Sequence, residues 1–145
     1  MFRDFAIVLL PGEPRTRRQI EAARQWLDTA LPEGTARVVF VPDRAELGSN
    51  AELSRAFGAS FCAKAVTTSV VQRDGKRVFV ATHRRLRSHQ RSWPAAPILA
   101  LWPTLDDLRL IAHRAKPTAL AIAAADLATV GSWLTMHGSP GEKLK

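Results

Sequence analysis

Pro97-Ile98-Leu99-Ala100-Leu101-Trp102 runs directly into Pro103-Thr104-Leu105-Asp106-Asp107-Leu108-Arg109-Leu110-Ile111-Ala112-His113-Arg114, and the change of period across this junction decides the fold. The first six residues are a continuous apolar run, the pattern of a strand covered on both sides. Beyond Pro103, apolar residues recur at Leu105, Leu108, Ile111, Ala112 and Ala115, which is the spacing of one helix face. Asp106 and Asp107 fall in the first turn of that helix, and Arg109, His113, Arg114 and Lys116 fall toward its end. These charges complement the two ends of a helix dipole.

The same junction recurs on either side. Phe5–Leu10 is an apolar run closed by Pro11-Gly12, followed from Arg15 by Ile20, Ala23, Trp26, Leu27, Ala30 and Leu31 at helical spacing, with Thr16 as cap and Pro32-Glu33-Gly34 as stop. Arg37–Val41 reads as a second strand ending at Pro42. Ser49-Asn50-Ala51-Glu52 then has capping-box spacing for a short helix reaching about Phe57. Thr118–Ala124 reads as the last strand, with Asp126 capping a helix that carries Leu127, Val130, Trp133 and Leu134 and stops at His137-Gly138. In the middle, Phe61–Val71 alternates loosely, Asp74-Gly75 supplies a turn, and Arg77–Ala81 returns, so an antiparallel β-hairpin is expected near residues 61–81. Strand followed by helix, twice before the hairpin and twice after it, predicts a single-domain layered α/β sandwich. Its sheet is mixed and mostly parallel, with about six strands and helices on both faces. The domain is expected over 1–138, with 139–145 a disordered polar tail.

A chain of 145 residues with 46% hydrophobic content suits one domain. The lone Cys62 cannot form an internal disulfide, and its apolar surroundings predict a buried thiol. No apolar run approaches the roughly 18 residues of a membrane span, and Phe5–Leu10 is too short for a signal sequence. A cytoplasmic protein without membrane attachment is expected.

Charge gives the main hint of function. From Arg73 to Arg91 seven basic residues face one acid, Asp74, so this stretch carries +6 of the net +8. Arginine outnumbers lysine 16 to 5, which coding bias alone can produce, but bias does not explain the crowding. A localised charge of this kind points to an anionic partner. The leading expectation is non-sequence-specific contact with nucleic-acid phosphates through Lys76, Arg77, Arg84, Arg85, Arg87 and Arg91. Only Phe79 and Trp93 flank the cluster as stacking platforms, and no DNA-reading module is recognisable. The alternatives are an acidic protein partner, or a homodimer formed through the hairpin edge. The spacing of Leu86 and Trp93 leaves the conformation of residues 82–94 open.

A third class is a small enzyme, or a phosphorylated small molecule bound beyond the strand ends. Arg15, Thr16, Arg17 and Arg18 crowd a helix start, where a phosphate would meet both amides and guanidinium groups. The loop lacks the closely spaced glycines of nucleotide-binding fingerprints. Asp43, Asp106 and Asp126 have the chemistry to hold magnesium, but each also sits where a helix start wants an acid or a cap. His83, His89, His113 and His137 show no metal-ligand spacing. Ser60, Cys62 and Thr67-Thr68-Ser69 stand on no strand-to-helix elbow. The sequence therefore assigns no catalytic residue, metal or cofactor.

Overall fold

The run Ala95–Leu101 is an inner strand of a six-stranded sheet in the computed structural model, which describes residues 6–29, 36–88 and 93–137. In chain order the elements are β1 (Ala6–Leu9), α1 (Arg17–Thr29), β2 (Ala36–Phe40), α2 (Ala45–Ser49), α3 (Ala51–Phe57), α4 (Ala59–Thr67), β3 (Val70–Arg73), β4 (Lys76–Ala81), α5 (His83–Arg87), β5 (Ala95–Leu101), α6 (Leu105–Arg114), β6 (Lys116–Ala123) and α7 (Leu127–His137). The strands lie in the order β1-β6-β5-β2-β4-β3, and every adjacent pair is parallel except β3 with β4. Single-domain α/β architecture with a mixed, mostly parallel sheet is thus what the strand-helix junctions specify. Among the described residues no helix is long and apolar enough to cross a membrane.

The pleat sorts the strand residues into two cores. Val39, Val41, Leu99, Leu101, Ala121 and Ala123 face one side with Ile20 and Leu27 of α1, Leu53 and Phe57 of α3, and Phe61 and Cys62 of α4. Val38, Phe40, Ile98, Ala100, Leu120 and Ile122 face the other with Leu86 of α5, Leu108 and Ile111 of α6, and Val130 and Trp133 of α7. Period-2 side-chain alternation explains why β5 and β6 read as unbroken apolar runs, since both faces are covered by helices. Each fully buried leucine contributes about 1.5–3 kcal/mol relative to exposure.

Two local expectations are corrected and one segment left open is assigned. The hairpin is confined to residues 70–81, because Phe61–Thr67 belongs to α4. Phe57, Phe61 and Ala65 recur at four-residue intervals toward the core, with the two rings 6.1 Å apart, and the alanine-rich run favours a helix over a strand. Gly58, at φ 98°, provides the break between α3 and α4. The helix start at residues 49–52 is capped by Asn50 rather than Ser49: its Oδ1 accepts from Glu52 N at 3.0 Å and Leu53 N at 3.1 Å, while Ser49 closes α2. Finally, residues 83–87 of the segment left open form α5, capped by Thr82. The polar tail expected at 139–145 lies outside the described residues.

Buried charge is handled locally. Arg37, 2% exposed, donates from Nε to the carbonyl of Leu27, one of the carbonyls at the end of α1 that lack intrahelical partners. Arg73 forms a two-pronged pair with Asp28 at 2.8 and 3.1 Å and donates to the carbonyl of Phe57. Burial pushes the Asp28 carboxyl up, but the hydrogen bonds and charge of Arg73, joined by Arg24, outweigh it and hold the group below its ordinary value. Cys62 is fully buried, and burial raises its thiol, which keeps it protonated.

Leu99→Asp and Leu120→Asp are expected to abolish cooperative unfolding, because a charge at either fully buried position has no partner. Val8→Asp, on edge strand β1 and only partly buried, is expected to fold with a lowered melting temperature. The Asp28 pair gives a second test. A depressed carboxylate contributes stability that is full above its unfolded value, near 3.8, and lost as pH falls through the lower folded value. Asp28→Asn should therefore be clearly less stable than wild type at pH 7, with the gap narrowing below about pH 4, as read from urea midpoints.

Candidate functional site

Five parallel strands put their carboxyl ends along one edge of the sheet, where the connections to α1, α2, α5, α6 and α7 begin. Ligands of open α/β sheets gather on such an edge. Here its two regions differ.

The region over β1, β6 and β5 is closed by the side chain of Gln19. Gln19 is 1% exposed. Its Nε2 donates to the carbonyl of Ala124 at 3.1 Å, and its Oε1 accepts from Trp102 Nε1 at 2.8 Å and from the amide of Arg15 at 2.9 Å. The Arg15 guanidinium lies 4.5 Å over the Trp102 ring. Both residues have positive φ, 60° and 53°, a conformation that non-glycine residues adopt only where their surroundings hold it. Gly12 is required beside them, since a Cβ there would stand 2.8 Å from the amide nitrogen of Gln19.

The helix start expected to take phosphate lies on this closed region. Its groups are already engaged: Arg15 pairs with Glu46 at 3.2 Å and Arg17 with Glu52 at 3.3 Å. Thr16 caps α1, donating to the carbonyl of Glu13 and accepting from the amide of Gln19. Arg18 is exposed. Asp43 and Asp126 act as caps for the amides of Ala45 and Ala128. Among the described residues no group of three His, Cys, Asp or Glu side chains is placed to hold a metal ion.

The second region opens between α5 and α6, the two helices that leave β4 and β5 on the same side of the sheet. The N-terminal turn of α6 is held by a capping box: Thr104 Oγ1 accepts from the amide of Asp107, and Asp107 Oδ2 accepts from the amide of Thr104 at 2.9 Å. The other carboxylate oxygen of Asp107, Oδ1, lies 2.7 Å from His83 Nδ1. The Asp107 side chain is 4% exposed and that of His83 is 35% exposed. Asp106, Arg109, Leu110 and His113 follow at i, i+3, i+4 and i+7, one stripe of α6. With His83 and Arg87 they line a cavity of about 370 Å³.

The basic residues singled out in the sequence do not form one patch. Lys76 and Arg77 begin β4, whereas Arg84, Arg85 and Arg87 follow its end. At about 3.3 Å per residue the strand holds the two groups roughly 17–20 Å apart on opposite edges of the sheet. Arg77 stacks over Phe79 at 5.7 Å. Arg85 donates to Ser69 Oγ, Arg84 is exposed, and Arg87 reaches the cavity. Arg73 is spent on Asp28, and Arg91 lies outside the described residues.

Sequence reasoning missed the His83–Asp107 pair and the role of Gln19. His83 and Asp107 are 24 residues apart, with no spacing to link them. The usable signal was positional: each begins a helix just after a parallel strand. Recognising β4 as one of the parallel set, rather than as a hairpin arm alone, brings the two together.

Gln19→Leu removes the partner of three polar groups at once. It is expected to lower stability by about 3 kcal/mol, from roughly 1–3 kcal/mol per buried group left unmatched, measured as a fall in the urea midpoint.

No protein-family model, curated protein or solved structure matches this chain.

Proposed function

We propose that the chain binds the phosphate backbone of nucleic acid through the flank formed by α5 and α6. The observation that carries this reading is a difference in the balance of basic and acidic residues between the two faces. On the side covered by α1 to α4, residues 11–29 and 41–67 hold seven arginines and lysines and six acids. There Arg15, Arg17, Arg24 and Arg55 each meet a carboxylate at 3.1–3.3 Å, and Arg44 donates to the carbonyl of Ala65. On the other side the α5 and α6 stretches, residues 82–88 and 104–116, hold six against two, and the start of α7 adds Asp126, which caps its own helix. Of the two acids beside the groove, Asp107 is committed to His83 and to the helix cap, and Asp106 lies 3.8 Å from Arg109.

A local excess of basic over acidic residues is what a phosphate chain neutralises, with release of counterions. Among the described residues the groove is lined by no Phe, Tyr or Trp, which favours contact with the backbone over stacking of bases. A dimer through the hairpin edge has less in its favour. The edge strand β3 is four residues long, and its Arg73 is tied to Asp28; short, charged edges discourage pairing.

Titration of a labelled single strand and a labelled duplex at several salt concentrations tests the proposal. Replacing Arg84, Arg87 and Arg109 with alanine should flatten the slope of log affinity against log salt by about two to three, from roughly 0.7–0.9 per phosphate. Lys76→Ala with Arg77→Ala, at the far edge, should leave the slope unchanged. Absence of binding at low salt, or a slope indifferent to the triple change, overturns the reading.

A further inference from the structure

We infer that the α5–α6 groove is also a catalytic site, in which His83 and His113 cleave a single RNA strand by internal transesterification; this rests on the nucleic-acid reading above. Both oxygens of Asp107 are engaged, one by the amide of Thr104 and one by His83 Nδ1. A buried carboxylate so held fixes the imidazole in one orientation and one tautomer, with Nδ1–H donating and Nε2 left as the basic nitrogen. A tie serving only to join α5 to α6 does not require the ring to face solvent. Yet His83 keeps about a third of its surface and lines the cavity. The α6 stripe brings a second imidazole, His113, to the same cavity, with Arg109 one turn before it and Arg87 from α5. Two imidazoles and two guanidinium groups around one cavity match the needs of phosphodiester cleavage by a neighbouring hydroxyl: a base, an acid and charge neutralisation.

The reaction balances within the substrate. His83 Nε2 takes the proton of the ribose 2′-hydroxyl, and the 2′-oxygen forms a bond to phosphorus. The bond from phosphorus to the 5′-oxygen breaks, and that oxygen leaves with a proton from the protonated His113. The products are a 2′,3′-cyclic phosphate and a free 5′-hydroxyl. Solvent then takes the proton from His83 and returns one to His113, so nothing is oxidised, reduced or consumed besides the strand. Arg87 and Arg109 neutralise the non-bridging oxygens.

The test uses three labelled single strands of one sequence: RNA, DNA, and RNA methylated at every 2′-oxygen. All three should bind, and only the first should be cut, to fragments ending in 2′,3′-cyclic phosphate. His83→Gln and His113→Gln should each slow cleavage about 100-fold or more, with RNA still bound and the melting transition retained. In Asp107→Asn the amide oxygen still accepts from Thr104, while its NH₂ donates to His83 Nδ1 and moves the ring proton to Nε2. Cleavage should be lost there while binding survives, a separation that a purely structural pair does not produce. RNA that is bound but uncut by the wild-type chain, or cut equally by His83→Gln, overturns the catalytic assignment and leaves the binding proposal standing. Failure of RNA and DNA alike to bind overturns both.

Discussion

The amide side chain of Gln19 is the constraint on which the carboxyl edge of this sheet depends. Helix α1 leaves the edge on one face, and α6 and α7 leave it on the other, although β1, β6 and β5 lie side by side. Three polar groups meet at that divergence: the buried carbonyl of Ala124, the buried indole N–H of Trp102 and the partly buried amide of Arg15. One buried side chain satisfies all three. Unmatched, each would oppose folding. Gln19 also fixes the two left-handed residues, whose conformations each cost on the order of 1–3 kcal/mol and persist because the surrounding contacts determine them.

The closure of that region places the accessible chemistry elsewhere. Over β1, β6 and β5 the carboxyl edge is occupied by Gln19, Trp102 and the Arg15–Glu46 pair. The cavity lies instead between two helices on one face, where Asp107 serves both as a helix cap and as the anchor of His83. Because a single carboxylate does both, the start of α6 and the orientation of the imidazole are set together. The floor of the groove and the ring beside it are thereby tied to one helix start.

Much of the fold was legible because both signals used are local. The apolar runs at Leu99 and Leu120 and the helical spacing from Leu105 each reflect one element's own burial. The error at Phe61 arose where short helices pack one after another and a stretch of ten residues fits either period. The site was legible only in part. The contiguous charges from Arg73 to Arg91 suggested one surface, but a strand within them carries Lys76 and Arg84 to opposite edges. The helical spacing from Arg15 does not single out Gln19, since its burial follows from β5 and β6 lying beside β1. That is a consequence of strand order, and nothing near residue 19 encodes it.

The pairing of β1 with β6 has a bearing on how the chain is made. Ile7 aligns with Leu120, so among the described residues β1 finds its one neighbouring strand about 110 residues later. At roughly 5–20 residues per second of synthesis, Ile7-Val8-Leu9-Leu10 waits about 5–20 s as an unpaired apolar segment while the rest of the sheet emerges. The β5-α6-β6 unit, whose contacts span short sequence distances, is able to assemble as soon as it leaves the ribosome. Docking of β1 and closure of the Gln19 contacts to Trp102 and Ala124 cannot precede synthesis of β6, so the apolar start of the chain stays unpaired with its neighbouring strand until then.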